Sequence, residues 1–197
     1  MSHYYSKNQT SELKLNKIEV RLLDHALEFY SGSGVFSIKK IDKGTDLLIK
    51  KAIIKDKWDI LDIGCGYGPV GISIAKAYPS TEITLTDVNK RAIKLTKMNV
   101  KLNNIENTIV FDSNIYSRLE GKKFNTILTN PPQNAGKDIC FGIIEKAKSH
   151  LKQGGLLQLV ARHNKGGKSL SAKMEEVFGN VKDIGKGSGY RVYLSEN

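Results

Sequence analysis

From Trp58 to the end of the chain, short apolar runs alternate with segments whose apolar residues recur at helical spacing. The runs "WDILDI", "EITLT", "TIVF", "NTILT", "LLQLVA", "NVKDI" and "GYRVYL" read as strands. Helical patterns fit Val70 to Ala77, Lys90 to Leu102 and Lys168 to Phe178. The clearest helix covers 137–151, where Ile139, Cys140, Ile143, Ile144, Ala147 and Leu151 share one face and Gly154-Gly155 offers a stop. Strands alternating with helices predict a doubly wound α/β fold, a mostly parallel seven-stranded sheet covered on both faces. The linker "GKGSG" predicts a tight reversal between the last two strands, which makes them antiparallel to each other.

Ahead of this sheet the pattern changes. Residues from Lys17 to about Ser31 alternate like a short ribbon, and Thr45 to Ile54 places Leu47, Leu48, Ala52 and Ile53 as a helix would. Residues 1–57 are therefore expected to form an N-terminal cap on a core unit of residues 58–197, and not a separate domain. Such a cap suits either covering a ligand or shielding a sheet edge.

Composition adds three constraints. With 197 residues and 40% hydrophobic content the chain can bury one proper core. No run approaches the roughly 18 apolar residues of a membrane span, and "MSHYYSKNQTSELK" lacks the apolar centre of a signal peptide, so a cytoplasmic protein is expected. Cys65 and Cys140 lie in unlike contexts without metal-type spacing, so neither a bridge nor a metal is assigned. The formal charge of +11 suits a polyanionic partner, although lysine-rich solvated faces give the same balance.

Candidate chemistry concentrates at strand ends. "LDIGCGYGPVG" joins the first core strand to a helix, and its glycines permit positive φ and close backbone approach beside free helix N–H groups. The next strand ends in Asp87, 21 positions beyond Gly66, about where an acid that holds ribose hydroxyls is expected. Gly66, Gly68 and Gly71 match the dinucleotide fingerprint literally. The register disagrees: starting from Gly64 the third fingerprint position is Pro69, and starting from Gly66 the strand has run two residues too far. "VFDSNIY" supplies a third strand-end acid, and "TNPPQNAG" ends an apolar run in Asn130, Pro131 and Pro132, a rigid exit that cannot continue as helix.

Asp62, Gly64, Gly66 and Gly68 together resemble the D-x-G-x-G-x-G motif of class I S-adenosylmethionine methyltransferases. The resemblance implies backbone contact between Gly64, Gly66 and Gly68 and the methionine part of S-adenosylmethionine. It implies a ribose role for Asp87, an adenine role for Asp112, and a ring contact through the backbone amide of Ser113. "NPP" resembles the subgroup that methylates planar amines, in which the asparagine oxygen and the next carbonyl accept hydrogen bonds from the target –NH2. Those catalytic positions are Asn130 and Pro131, with Asn130 also beside the cofactor. The closest likeness is to the catalytic domain of small-subunit ribosomal RNA guanine-N2 methyltransferases and their small single-domain archaeal relatives, carried by "SGVFSIKKIDKGTDLLI", the glycine turn, "TNPPQNAGK" and the end of the chain. It implies that Phe36 and the Lys43-Gly44-Thr45 turn line the cofactor cleft.

One position departs from the pattern. Many base-modifying members carry an aromatic residue after the prolines, and here it is Gln133. Stacking on the base would then fall to Phe36, while Pro132 and Gln133 meet the substrate and Gln133 could bond a base edge. The basic loop "ARHNKGGKSL" offers Arg162, His163, Lys165 and Lys168 to RNA phosphates. The function implied is methylation of guanine N2 in RNA, ribosomal RNA above all. A protein glutamine amide suits the same geometry, and a non-catalytic RNA- or partner-binding domain is the alternative of another class.

Overall fold

The computed structural model describes residue 9 and residues 12–132 and 136–197. An antiparallel hairpin, β1 (Leu15–Leu22) and β2 (His25–Gly32), precedes helix α1 (Lys43–Lys51). Then come β3 (Asp59–Ile63), α2 (Pro69–Ala77), β4 (Glu82–Asp87), α3 (Lys90–Leu102), β5 (Thr108–Asp112) and β6 (Phe124–Thr129). The chain continues through α4 (Lys137–Ala147), β7 (Leu151–Arg162), α5 (Lys168–Phe178), β8 (Lys182–Gly187) and β9 (Tyr190–Glu196). The seven core strands lie in the order β5-β4-β3-β6-β7-β9-β8, all parallel except β9, which is antiparallel to both neighbours.

Side chains alternate across this sheet and feed two cores. Ile60, Leu128, Val160 and Val192 face α1, α2 and α3 with Leu48, Ile72 and Leu95, whereas Leu61, Ile127, Leu159 and Tyr193 face α4 and α5 with Ile144 and Met174. Burial on both faces explains why the central strands read as continuous apolar runs. Truncating a fully buried residue such as Leu61 to alanine costs about 2–5 kcal/mol.

The hairpin is held by side chains of α3 and of Asn103, the residue that ends it. Asn99 Oδ1 accepts the Tyr30 N–H at 2.7 Å and its Nδ2 donates to the Tyr30 carbonyl at 2.9 Å. Asn103 repeats the pattern on Glu28, one helical turn later, at 3.0 and 2.7 Å. Two asparagines thus pair with β2 as a neighbouring strand would, satisfying an otherwise open edge. Beyond β2, Asn89 Nδ2 donates to the Gly34 carbonyl at 2.8 Å and Arg91 to the Ser33 carbonyl at 2.7 Å, which fixes the loop leading to α1.

Three expected boundaries move, each for a local reason. Helix α4 stops at Ala147, and Gly154-Gly155 lies inside β7 instead of after a helix. A Cβ at Gly155 would stand 3.1 Å from the Phe124 carbonyl oxygen, at the register irregularity between β6 and β7, so the glycine admits a neighbouring strand. Strand β8 runs through Gly187, leaving Ser188 and Gly189, both with positive φ, as a two-residue turn. Helix α1 starts at Lys43 because the Asp42 carboxylate caps it, accepting from Gly44 N at 2.8 Å and Thr45 N at 3.2 Å.

Candidate functional site

Strand order reverses beside β3, where β4 lies on one side and β6 on the other, and the carboxyl ends of these strands open into a cavity of about 540 Å³. Ligands on open α/β sheets bind at such a reversal.

One wall is built from backbone. After Ile63 the chain turns through Gly64 (φ +73°) and Gly66 (φ +61°), conformations that cost an L side chain about 1–2 kcal/mol. A Cβ at either residue would meet no atom within 4 Å, so both glycines border open cavity. Gly68 differs. Its φ is +93°, but a Cβ there would stand 2.8 Å from Ile72 and 3.0 Å from Thr96, and it lies off the cavity lining. Gly68 is the residue from which α2 springs, and it has no side chain to cap that helix. Asp62 does so instead, its Oδ2 accepting the Gly71 N–H at 2.9 Å. Burial pushes the Asp62 carboxyl up to about 7, against the Gly71 hydrogen bond, which lowers it, and with the Asp87 charge adding to the rise.

Asp87 closes this wall. Oδ2 accepts from Gly66 N at 2.9 Å and Oδ1 from Asn89 N at 2.8 Å, so both oxygens are fixed and each keeps acceptor capacity. Desolvation pushes its carboxyl up to about 6 despite backbone hydrogen bonds from Asn89, Gly66 and Val88. Asn89 in turn caps α3, so the strand-end acid and the next helix start form one hydrogen-bonded unit.

The opposite wall is built from side chains. Asn130 leaves β6 and donates through Nδ2 to Thr45 Oγ1 at 3.0 Å and to Asp42 Oδ2 at 3.3 Å. A carboxylate only accepts, so the amide nitrogen faces Asp42 and the amide oxygen is turned the other way. Asp42 Oδ1 accepts from the Tyr190 hydroxyl at 3.2 Å, and that hydroxyl accepts from Arg162 Nε at 3.0 Å. The Arg162 guanidinium also sits over the Tyr190 ring, 5.2 Å from its centroid. Gly44 makes room for that ring, since a Cβ there would stand 2.6 Å from Tyr190 Cε1.

Among the residues expected from sequence, Phe36, Thr45, Asp62, Gly64, Gly66, Asp87, Ser113, Asn130, Pro131, Pro132, Arg162 and Lys165 line the cavity, and Gln133 lies outside the described residues. Asp112 does not line it; this acid is ion-paired with Arg118 at 2.8 Å. The expected use of the Ser113 amide also changes, because that N–H is spent on the Asp87 carbonyl at 3.0 Å, extending the β4–β5 ladder. Lys168 begins α5, away from the lining, and His163 Nδ1 pairs with the Tyr193 hydroxyl at 2.7 Å. Asp42, Tyr67, Asn89 and Tyr190 complete the walls without having been expected. Asp42 carried a usable signal as a capping residue just before a helical pattern; Tyr190 carried none.

Among the described residues no group of three or more His, Cys, Asp or Glu is placed to hold a metal ion, and no helix is long and apolar enough to cross a membrane.

Known proteins resemble this chain in sequence or in fold. Uncharacterized protein YbxB of Bacillus subtilis is 38% identical over 192 residues, which covers 96% of both chains. Ribosomal RNA small subunit methyltransferase C of Haemophilus influenzae is 39% identical over 139 residues, 68% of this chain but 42% of that protein. In three dimensions the T. thermophilus 16S rRNA guanine-N2 methyltransferase, solved with AdoMet and guanosine, superposes with a TM-score of 0.81 at 22% identity, over 96% of this chain and 52% of its own. The chain therefore spans nearly all of YbxB and about half of the named ribosomal RNA enzymes. The methyltransferase small domain family matches residues 26–194, a span that takes in most of β2, the glycine turn, Asn130 and most of the final strands. A match of that extent, on a fold with this cavity, makes the chain a member of the methyltransferase small domain family.

Proposed function

We propose that the protein is an S-adenosylmethionine-dependent N-methyltransferase acting on guanine N2 in ribosomal RNA, with cap and sheet working as one unit. The carrying observation is Asn130: its amide nitrogen is tied to Asp42 and Thr45, so its oxygen is the group left for a target amine. Similarity to ribosomal RNA small subunit methyltransferase C supports a ribosomal RNA substrate, and the charge of +11 suits one.

The residues present fit the cofactor. Gly64 and Gly66 leave open space where side chains would project, and the two oxygens of Asp87 are held for a pair of ribose hydroxyls. When bound, S-adenosylmethionine supplies an electrophilic methyl group on a positively charged sulfur that departs as a neutral thioether. Asn130 Oδ1 and the Pro131 carbonyl receive the N–H groups of the target. A nucleobase amine is a poor nucleophile because its lone pair is delocalised into the ring. Two fixed acceptors orient that lone pair and stabilise the charge that develops on nitrogen, whose surplus proton then passes to water. The prolines hold the carbonyl in place without further ordering. Phe36, 41% exposed on the cavity wall, offers a stacking face for the base, and Arg162 and Lys165 offer phosphate contacts at the rim. Ser113 remains a wall residue near the nucleoside, with its amide already engaged.

Incubation with labelled S-adenosylmethionine and total undermethylated RNA, followed by nucleoside analysis, tests this reading. Label in N2-methylguanosine is the expected outcome. Label confined to protein would replace it with the glutamine-amide reading. Absence of S-adenosylhomocysteine binding by calorimetry would leave a non-catalytic binding domain.

A further inference from the structure

We infer that Asp42 is a positioning residue for methyl transfer: through its hydrogen bond to Asn130 it fixes which way the catalytic amide faces and makes the amide oxygen a stronger acceptor. The inference rests on the reading of Asn130 as the acceptor of the target amine.

The geometry is that of a hub. Four groups converge on one carboxylate: Gly44 N, Thr45 N and Asn130 Nδ2 on Oδ2, and the Tyr190 hydroxyl on Oδ1. A helix cap needs only the first two. The others come from 88 and 148 positions away, on β6's exit and the final strand, and both reach the same cavity wall. An asparagine amide can be turned by half a revolution at little steric cost, and in the turned state its nitrogen would face the substrate amine, donor against donor. The Asp42 carboxylate excludes that state, because it would then face the amide oxygen across a short gap with no proton between them. Thr45 Oγ1 alone does not discriminate, since a hydroxyl both donates and accepts.

The second effect is electronic. A charge-assisted hydrogen bond to an amide N–H draws the nitrogen lone pair into the carbonyl, so negative character grows on Oδ1, where the attacking amine becomes positive. A carboxylate behind a metal-binding histidine acts similarly on its ring, and losing that kind of supporting group costs about 10- to 100-fold.

Asp42→Asn separates this role from helix capping. Asparagine caps a helix about as well as aspartate and is nearly the same size, so Asp42→Asn keeps the cap while removing the charge and one of the two acceptor oxygens. Asp42→Ala removes cap and charge together. With the RNA on which the wild-type protein is active, Asp42→Asn is expected to lower kcat by about 10- to 100-fold. The KM for RNA, the affinity for S-adenosylhomocysteine and the melting temperature should stay near wild type. Asp42→Ala should lose kcat at least as severely and melt earlier. Wild-type kcat in Asp42→Asn, with damage confined to Asp42→Ala, would show that Asp42 is a helix cap and overturn the inference while leaving the proposed function standing. A kcat loss in Asp42→Asn matched by an equal loss of cofactor affinity or of melting temperature would overturn it equally. Failure of the wild-type protein to methylate guanine in RNA would instead remove the reading on which both depend.

Discussion

The two walls of the cavity are built by opposite means. Around Gly64, Gly66 and Asp87 the site is made of backbone: glycines leave space, and a carboxylate is fixed by main-chain N–H groups from the same turn and from the helix that follows. Around Asn130 it is made of side chains contributed by α1, β7 and β9, with the oxygen of one amide exposed by what its nitrogen binds. The first wall works by absence of atoms and by local geometry. The second works by a hydrogen-bond network that closes only when distant segments meet. They should fail differently, since adding a methyl group harms the first and removing a polar partner harms the second.

The largest expected effect lies on the second wall. Asn130→Ala deletes an acceptor needed chiefly as charge develops, so turnover should drop by about 10² to 10³, comparable to loss of one preorganised oxyanion donor. S-adenosylhomocysteine affinity should hardly change. Asn130→Asp is no rescue in this structure: it would set a second carboxylate about where Nδ2 stands, 3.3 Å from Asp42 Oδ2, and two like charges cannot both persist there. Single-turnover methyl transfer alongside calorimetry checks both variants, and near-normal transfer by either would reduce the segment to a turn.

On the first wall the expected loss is of binding. Hydrogen bonds to a charged group contribute about 1.5–3 kcal/mol each, so Asp87→Ala, which removes two from the ribose, should weaken cofactor affinity by about 10² or more. Rate at saturating cofactor should survive. The same carboxyl predicts a pH signature, because its folded value is raised to about 6 from an ordinary 3.8. If the ionised form binds, affinity should be flat above pH 7 and about tenfold weaker at pH 5. Protonation has the opposite effect on the empty fold: a raised folded pKa adds stability that is complete below the ordinary value and is lost as pH rises through about 6. Calorimetric titrations from pH 5 to 8 should show the affinity trend in wild type and its disappearance in Asp87→Ala. A smaller loss should follow Gly66→Ala, whose positive φ costs an alanine about 1–2 kcal/mol, read as an earlier melting transition together with weakened cofactor binding.

How far each wall was readable follows from this difference. The strand-turn-helix of the first wall is contiguous, so the glycine spacing and the strand-end position of Asp87 pointed to residues that line the cavity. The roles that the family resemblance implied for Gly68, Asp112 and the Ser113 amide meet different surroundings, because packing against Ile72 and Thr96, pairing with Arg118 and the β4–β5 ladder are tertiary facts. On the second wall Asn130 was readable from the prolines beside it, but its partners were not. Asp42, Thr45 and Tyr190 lie 88, 85 and, measured from Asp42, 148 positions distant, and no periodicity reports that they meet. The strands were legible for the same reason as the first wall, since burial on both faces writes itself as apolar runs. Gly154-Gly155 was misread because a strand bulge and a helix stop both favour glycine.

The smallest expected effect is the most specific to the network. Tyr190→Phe removes one hydroxyl while keeping the ring that packs on Gly44 and under Arg162. Asp42 Oδ1 then loses a donor and Arg162 Nε an acceptor, both at a wall that water can reach. Both partners are charged, but water at this wall replaces part of what each loses, so the net cost is about 0.5–1.5 kcal/mol, or roughly 2- to 10-fold. If the second wall acts as a unit, that modest loss should appear in kcat, and it should be non-additive with Asp42→Asn, because the hydroxyl acts on Asn130 only through the carboxylate. If Tyr190 merely packs, the double variant should show the product of the two single effects, and KM for RNA should carry the change. Kinetics on the two single variants and the double variant distinguish these outcomes, and additive losses would reduce the second wall to independent contacts.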